Sequence, residues 1–465
     1  MFKVNKLNIS GASVYPIIEG GKGINISTGL TAGSFAKAGA VGTISATNPD
    51  FYDNAGNVMR YVFDEAMTRK EKFIRLVEYS IKGAIDQIKI ANDVACGNGR
   101  IHINLLWEAG GTKHILDEVL SKVKGLVHGV TAGAGLPYKL SDFAQKYNVY
   151  YYPIISSARA FQVLWKRAYS KASDLLGGVV YEDPWLAGGH NGLSNQENPL
   201  HPQDPYLRLV EVRKAMDEYN LQHVPIIIAG GVWSLSDWGK YIDNKEIGLV
   251  AFQFGTRPLL TKESPISDAW KQKLVNLKEG DIALHKFSPT GFYSSAIKNP
   301  FLMELYERNA RQLEVNRSFT EEFNKEIPSG NGVSVFYVKE KDYEKAADYI
   351  NAGFSTIMRT PEGTAVFVTR ERAESIKADQ AGCMGCLSAC RFSGWEEITG
   401  STGILPDPRS FCIEKTLQDV GHGGSIEDNL LFSGHNAYKF GKDPLYSNGN
   451  IPTIAELVDI ILKGK

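Results

Sequence analysis

The chain has 465 residues, of which 43% are hydrophobic and 22% charged, and its 51 basic residues nearly balance its 52 acidic ones. A net charge of -1 with both signs interspersed excludes the strongly basic surface of proteins that wrap nucleic acid or bind anionic membranes. The apolar content is too high for a disordered protein, and no apolar run reaches the roughly 20 residues that a membrane helix needs. The start of the chain lacks an apolar signal segment, so we expect a soluble, globular, cytoplasmic protein.

Short β-branched or aromatic runs recur along the first half of the chain, with helix-like segments between them. The eight runs are residues 14–18, 40–46, 101–106, 126–131, 149–156, 178–182, 224–229 and 248–254. Between the second and third runs, residues 73–88 have the apolar spacing of a helix that buries one face. Eight strands alternating with helices predict an α/β fold, a (β/α)8 TIM barrel. An open doubly wound sheet is the alternative, but no Gly-x-Gly-x-x-Gly follows the first strand.

The strand and helix pattern loosens after residue 265, which predicts where the barrel ends. We expect the barrel to occupy residues 1–310, with a helical stretch over residues 299–325 at its end. Residues 311–380 contain strand-like and helical runs that predict a small α+β extension. Residues 381–465 are rich in Gly, Ser, Asp and Pro and hold four of the five cysteines. We expect the aromatic residues of this last segment to pack on the barrel or on a second subunit of a homodimer.

Glycine-rich segments follow five of the predicted strands. They are residues 19–24, 132–135, 188–192, 230–231 and 255–257. A single glycine pair is usually a tight turn, but in a TIM barrel the loops at the C-terminal ends of the strands form the active site. Glycine lets a flat or phosphorylated ligand approach the backbone, and exposed N–H groups bind anions. Five such segments at equivalent positions therefore predict a ligand site, with a phosphate near the last two strands.

His190 is the residue whose position most favours catalysis. It stands among glycines in the loop after the sixth strand, where we expect a mobile backbone and an open path to the barrel mouth. This position predicts a catalytic base or a group that orients an anion, whereas the other histidines are interpreted as structural. Glu182 and Asp183 are candidate partners of His190, but pairing with Lys or Arg at the barrel rim is the commoner role for such carboxylates.

These motifs, in their order and spacing, resemble the nitronate monooxygenase (2-nitropropane dioxygenase) family of FMN-dependent (β/α)8 barrels. The resemblance spans roughly residues 12–265. It implies that FMN lies across the barrel mouth and that His190 is the active-site histidine. It places Lys22 and the glycines before it near the isoalloxazine, and Asn104 in a hydrogen bond to the flavin. The residues assigned to the cofactor in this way are Gly20, Gly21, Lys22, Asn104, Gly188, Gly189, Gly230, Gly231, Gln253, Gly255 and Thr256.

Two features depart from the pattern of that family. Lys22 stands where the family usually has methionine, and residues 193–205 form an insertion-like segment after His190. The lysine would place a cation beside the flavin, which would favour an anionic substrate or the anionic reduced flavin.

The cysteines of the last segment form a second candidate site. Cys383, Cys386 and Cys390 are spaced C-x2-C-x3-C, and Cys412 follows after 21 residues. Three clustered thiolates and a distant fourth suit a 4Fe-4S cluster, as in dienoyl-CoA reductase and trimethylamine dehydrogenase type enzymes, where the fourth cysteine comes sooner. A structural zinc site and plain buried thiols are the alternatives. Cys96 stands alone and is expected to be a small buried hydrophobic residue.

Three functions are compatible with these patterns. The first is an FMN-dependent monooxygenase that oxidises alkyl nitronates with O2 to a carbonyl compound and nitrite. The second is an NAD(P)H-dependent flavin reductase that resembles barrel-type enoyl reductases and uses the cluster as an electron relay. The third is a barrel without redox activity that binds a phosphorylated ligand. All three act on or bind small molecules.

Overall fold

The computed structural model describes residues 4–61, 64–328 and 335–465. Eight parallel strands, which we number β1 to β8, close into a barrel. They are β1 (Ile17–Glu19), β2 (Val41–Ser45), β3 (Arg100–Leu106), β4 (Gly129–Gly133), β5 (Tyr150–Ile155), β6 (Val179–Glu182), β7 (Ile226–Ala229) and β8 (Val250–Phe254). Neighbouring strands follow chain order, and β8 pairs with β1. The predicted (β/α)8 barrel is confirmed, and every predicted run overlaps one barrel strand.

Alternate residues of the barrel strands belong to two different hydrophobic cores. Ile226 and Ile228 of β7 pack in the core between the sheet and the surrounding helices, whereas Ile227 packs in the core inside the barrel. Ile18 of β1 and Tyr152 of β5 are also inside the barrel. This alternation follows from the two-residue period of a strand, and burial on both faces explains why the runs are almost continuously apolar.

Helices connect the barrel strands, as the apolar spacing predicted. The α-helices of this part of the chain are Gly29–Lys37, Arg69–Ala95, Thr112–Lys122, Leu140–Tyr147, Ala158–Arg167 and Pro205–Asp217. Short 3-10 helices cover Tyr169–Lys171, Ser173–Leu175, Ser236–Tyr241 and Arg257–Leu259. None of the helices in the described ranges is both long and apolar enough to cross a membrane.

The longest of these helices has a defined start and end. Thr68 caps the first turn of Arg69–Ala95, and the Glu71 side chain accepts the Thr68 backbone N–H in return. The helix ends at Cys96, which has left-handed backbone angles. Cys96 is exposed, so the prediction that it is buried is wrong. Its position just beyond the last helical turn turns the thiol towards solvent.

Smaller sheets and helices follow the barrel. Their α-helices are Asp268–Val275, Pro300–Ala310, Tyr343–Asn351, Arg370–Ala381, Ile413–Gln418 and Ile454–Leu462. Their strands include Ile282–His285, Ser294–Ile297, Gln312–Glu314, Lys325–Pro328, Val335–Val338, Thr356–Arg359 and Thr364–Val368. The helical stretch predicted over residues 299–325 is wrong beyond Ala310, because Gln312–Glu314 pairs as a strand with Thr364–Val368.

The last segment of the chain packs against the barrel. Four apolar residues of its final helix, Ile454–Leu462, belong to the main core of the barrel. At the barrel mouth, Gly434 N donates to Thr256 Oγ1 at 2.8 Å, and Gly110 N donates to Cys386 O at 3.0 Å. The C-terminal segment therefore forms part of the surroundings of the strand ends.

Candidate active site

A cavity lies at the C-terminal ends of the barrel strands. It holds about 1440 Å³ of empty space, including the space open to solvent at its mouth. Every residue that the sequence assigned to the cofactor lines this cavity, as does His190. These residues are Gly20, Gly21, Lys22, Asn104, Gly188, Gly189, His190, Gly230, Gly231, Gln253, Gly255 and Thr256. The structure therefore brings the predicted site residues together, while their individual roles stay predictions.

Glycines shape this cavity because side chains would not fit or would fill it. A Cβ atom on Gly21 would lie 2.4 Å from Asn104 Oδ1, closer than any real contact. Gly230 and Gly231 have φ angles of 86° and 74°, which favour glycine. A Cβ atom on Gly255 would instead meet nothing within 4 Å. The backbone of Gly255 thus borders open space, as a backbone that contacts a ligand must.

The C-terminal segment supplies a wall of the cavity that the sequence did not predict. Asn436 Nδ2 donates to Gly231 O at 2.6 Å, next to the hydrogen bond between Gly434 and Thr256. Phe432 also lines the cavity. Gly434 and Thr256 are 178 residues apart in the chain, and no motif spacing links them. Only the tertiary structure shows that this segment reaches the strand ends.

Lys22 enters the cavity as one half of a buried ion pair. Its Nζ contacts Glu19 Oε1, and the side chains of Lys22 and Glu19 are 4% and 0% exposed. The second carboxylate oxygen of Glu19 accepts the Thr43 backbone N–H at 3.2 Å. The lysine that was expected to place a cation beside the flavin is therefore paired with a carboxylate at the end of β1. No signal for this pair was present in the sequence, because the i, i+3 rule applies to helices and Lys22 lies in the loop after a strand.

Strand pairing and a serine hold His190 in place. Gly189 and His190 pair with Ser295 and Ser294, so the loop is tied to a sheet rather than mobile as expected. His190 Nε2 lies 2.6 Å from Ser288 Oγ. Burial lowers the pKa of His190 to about 4, so the imidazole is neutral at pH 7 and able to accept a proton. Sequence reasoning missed Ser288, which is 98 residues away.

The two carboxylates at the end of β6 do not pair with His190. Asp183 Oδ1 accepts the backbone N–H groups of Trp185 and Leu186, both at 2.9 Å. Arg208 is close enough to lower the pKa of Asp183, which is nevertheless raised overall by burial. Glu182 lines the cavity, and burial, followed by the adjacent Asp183 carboxylate, raises its pKa to about 8.

The four cysteines of the last segment lie in one hydrophobic cluster. Cys383 and Cys390 are buried, Cys386 and Cys412 are partly buried, and Ser393 Oγ donates to Cys383 Sγ at 3.1 Å. The hydrogen bond between Cys390 and Cys383 lowers the pKa of the Cys383 thiol, whereas burial raises that of Cys412 to about 12. No group of three or more His, Cys, Asp or Glu side chains able to hold a metal ion occurs in the described residues. The described residues therefore give no support to the predicted 4Fe-4S cluster, which stays a prediction.

Comparison with known proteins places this site in a family. The family model of nitronate monooxygenase matches residues 5–355, which is more than half of the chain. Among solved structures, FabK from Thermotoga maritima is 15% identical with a TM-score of 0.51, and the match covers 97% of this chain and 92% of FabK. The enoyl reductase domain of MlnA from Bacillus amyloliquefaciens is 13% identical with a TM-score of 0.53, covering 97% of this chain and 93% of that domain.

The two kinds of comparison support different conclusions. The two solved structures share the fold of this chain, but at identities of 15% and 13% the likeness shows nothing beyond the fold. No match was found among the curated proteins. The family match is different in kind, because it includes all eight barrel strands, His190 and every residue assigned to the cofactor. The chain belongs to the nitronate monooxygenase family and is an oxidoreductase that acts on small molecules.

Proposed function

We propose that the protein is an FMN-dependent nitronate monooxygenase that oxidises alkyl nitronates with O2 to a carbonyl compound and nitrite. The observation that carries this proposal is the convergence of His190 and all the residues assigned to FMN on one cavity at the barrel mouth. Membership of the nitronate monooxygenase family supports it.

Two glycines of the cavity support FMN as its ligand. Gly255 borders open space, so a planar ring or a phosphate can contact its backbone directly, and Gly21 lets the loop after β1 lie against Asn104. We assign Lys22 and Asn104 to the isoalloxazine, and Thr256 with its neighbouring glycines to the phosphate. When bound, FMN supplies the electron transfer, which no protein side chain of the cavity provides.

His190 is the group of this chain that handles the substrate. Because its pKa is about 4, the imidazole is neutral at pH 7 and can take the α-proton of a neutral nitroalkane. The contact with Ser288 orients the ring, and the strand pairing of Gly189 and His190 fixes its backbone. With a nitronate no proton has to be removed, and a ring N–H can instead bind the anion.

Anaerobic reduction of the bound flavin tests this proposal. We expect an alkyl nitronate, without any nicotinamide, to bleach the flavin absorbance of the holoprotein. The matched measurement replaces the nitronate with NADH or NADPH. Flavin that stays oxidised with the nitronate and bleaches with either nucleotide would refute the proposal and support the NAD(P)H-dependent reductase. If the purified protein contains no flavin, the remaining function is that of a barrel without redox activity that binds a phosphorylated ligand.

A further inference from the structure

Glu182 lines the cavity, and its carboxyl group has no hydrogen-bond partner among the described residues. It is the last residue of β6, is partly exposed, and lines the same cavity as His190. Only burial and the Asp183 carboxylate act on its pKa, and no hydrogen bond from a described residue lowers it. Asp183, in contrast, holds two backbone N–H groups. Because the carboxyl is partly exposed at the cavity and no hydrogen bond from a described residue holds it, it is available to a ligand bound there.

The protonation state of Glu182 determines which ligand it suits. Its pKa of about 8 leaves the carboxyl protonated at pH 7. A protonated carboxyl has an O–H donor, whereas an ionised one only accepts hydrogen bonds and repels anions. Below pH 8 Glu182 therefore suits an anionic oxygen, and above pH 8 it opposes one.

The other titratable groups around the cavity leave this donor available. Lys22 is paired with Glu19, and His190 is neutral at pH 7. Glu414 also lines the cavity; its Oε2 accepts Asn48 Nδ2 at 2.6 Å, and burial raises its pKa to about 8. The adjacent Asp183 carboxylate also raises the pKa of Glu182, and burial raises the pKa of Asp183 itself.

We propose that Glu182 determines the substrate specificity of the site, because its protonated carboxyl donates a hydrogen bond to the anionic oxygens of the substrate. This inference rests on the proposed function, in which a nitronate is the anion. Ionisation of Glu182 removes the donor and adds a negative charge, so the affinity for the anion falls as the pH rises through about 8.

Nitrate is a suitable probe because it has the planar oxygens of a nitro group and does not react. Its binding to the holoprotein is measured by the perturbation of the flavin spectrum. We expect the Kd of the wild type to be about tenfold higher at pH 9 than at pH 7, since about a tenth of Glu182 is protonated one unit above its pKa of about 8. Glu182→Gln keeps an N–H donor at every pH, so its Kd should change less than about twofold over this range.

Further variants separate Glu182 from other sources of pH dependence. Glu182→Asp retains a titrating carboxyl and should keep the rise in Kd, which provides a second test if the glutamine variant binds flavin poorly. The proposal is overturned if Glu182→Gln keeps the tenfold rise, or if Glu414→Gln abolishes it. Absence of saturable nitrate binding to the wild type at pH 7 overturns it as well.

A separate measurement shows whether the proposed monooxygenase function is wrong. Nitrate binding requires no turnover, so a flavin that alkyl nitronates do not reduce would refute the monooxygenase proposal. The pH dependence that Glu182 imposes on anion binding would be unaffected by that outcome.

Discussion

Short motifs predicted a ligand site at the strand ends of the barrel and a metal cluster in the cysteine segment. The structure brings the residues of the first site together, whereas the described residues give no support to the second. Residues that follow strands far apart in the sequence line one cavity, as expected. Cys383, Cys386 and Cys390, which span only eight residues, gather in a hydrophobic cluster without forming a metal-binding group among the described residues. Closeness in the sequence therefore predicted a functional site less well than position at the ends of the barrel strands.

Topology explains the difference. A closed parallel barrel brings the C-terminal ends of all its strands to one ring, whatever sequence lies between them. A C-x2-C-x3-C spacing only keeps three thiols near each other, and packing decides where each sulfur points. Here Cys383 hydrogen-bonds to Ser393, and the cluster around it includes Phe392 and Trp395.

The largest expected effect comes from the first of these two regions. Gly21→Ala would place a Cβ atom 2.4 Å from Asn104 Oδ1, so either the loop or Asn104 must move. We expect flavin affinity to fall by about a hundredfold, equivalent to ~3 kcal/mol of overpacking. Fluorescence titration of the apoprotein with FMN measures this affinity. Gly239→Ala is the control, because its Cβ would meet nothing within 4 Å. Equal affinity in both variants would contradict the assignment of Gly21.

The next effect tests whether the predicted catalytic residue works as a base. His190→Asn should lower kcat with a neutral nitroalkane by about a hundredfold while leaving flavin content unchanged, because proton removal is lost. With the corresponding nitronate the loss should be much smaller. His114→Asn, at an exposed position on a barrel helix, serves as the control. Equal losses with the two substrates would show that His190 does not act as a base.

His285 lies on the small sheet that also contains His190, and its burial predicts how the free energy of unfolding depends on pH. Burial lowers the pKa of His285 to about 3, below the value of 6.5 in the unfolded chain. The folded state then binds fewer protons, so its stability is complete above pH 6.5 and falls as the pH decreases towards 3. We expect His285 to account for about 2 kcal/mol of lost unfolding free energy between pH 7 and pH 5.

Urea unfolding of the wild type and of His285→Gln at pH 7 and pH 5 measures this contribution. The variant should lose less stability than the wild type over that interval. If both proteins lose the same amount, the histidine is not held neutral by burial.

The smallest effect concerns the cysteine segment. If its thiols bind no metal, Cys383→Ser removes only a buried sulfur and its hydrogen bond. We then expect the free energy of unfolding to fall by about 1 kcal/mol and the flavin content to stay unchanged. Iron and acid-labile sulfide in anaerobically purified protein should be below stoichiometric amounts. About four iron atoms per chain, lost in Cys383→Ser, would restore the predicted cluster and remove the contrast between the two regions.

The sequence alone predicted the barrel fold and many of the residues that line the cavity at its mouth. Strand runs with helices between them specified the order of β1 to β8, and the barrel topology then placed the residues after each strand at one end. His190 was identified because it follows β6 among glycines. The pair of Lys22 and Glu19 was not predicted, because a spacing of i, i+3 indicates contact in a helix and not where a strand runs into a loop.

Only the tertiary structure decided which groups these residues contact. Ser288 reaches His190 from 98 residues away, and the wall around Gly434 meets Thr256 from 178 residues away. The same packing leaves Glu182 without a hydrogen-bond partner in the described part of the chain. Gln312–Glu314 becomes a strand because Thr364–Val368 lies beside it. Local spacing encodes periodicity and turns, but contacts between distant elements and the pKa values that follow from their burial arise only when the whole chain packs.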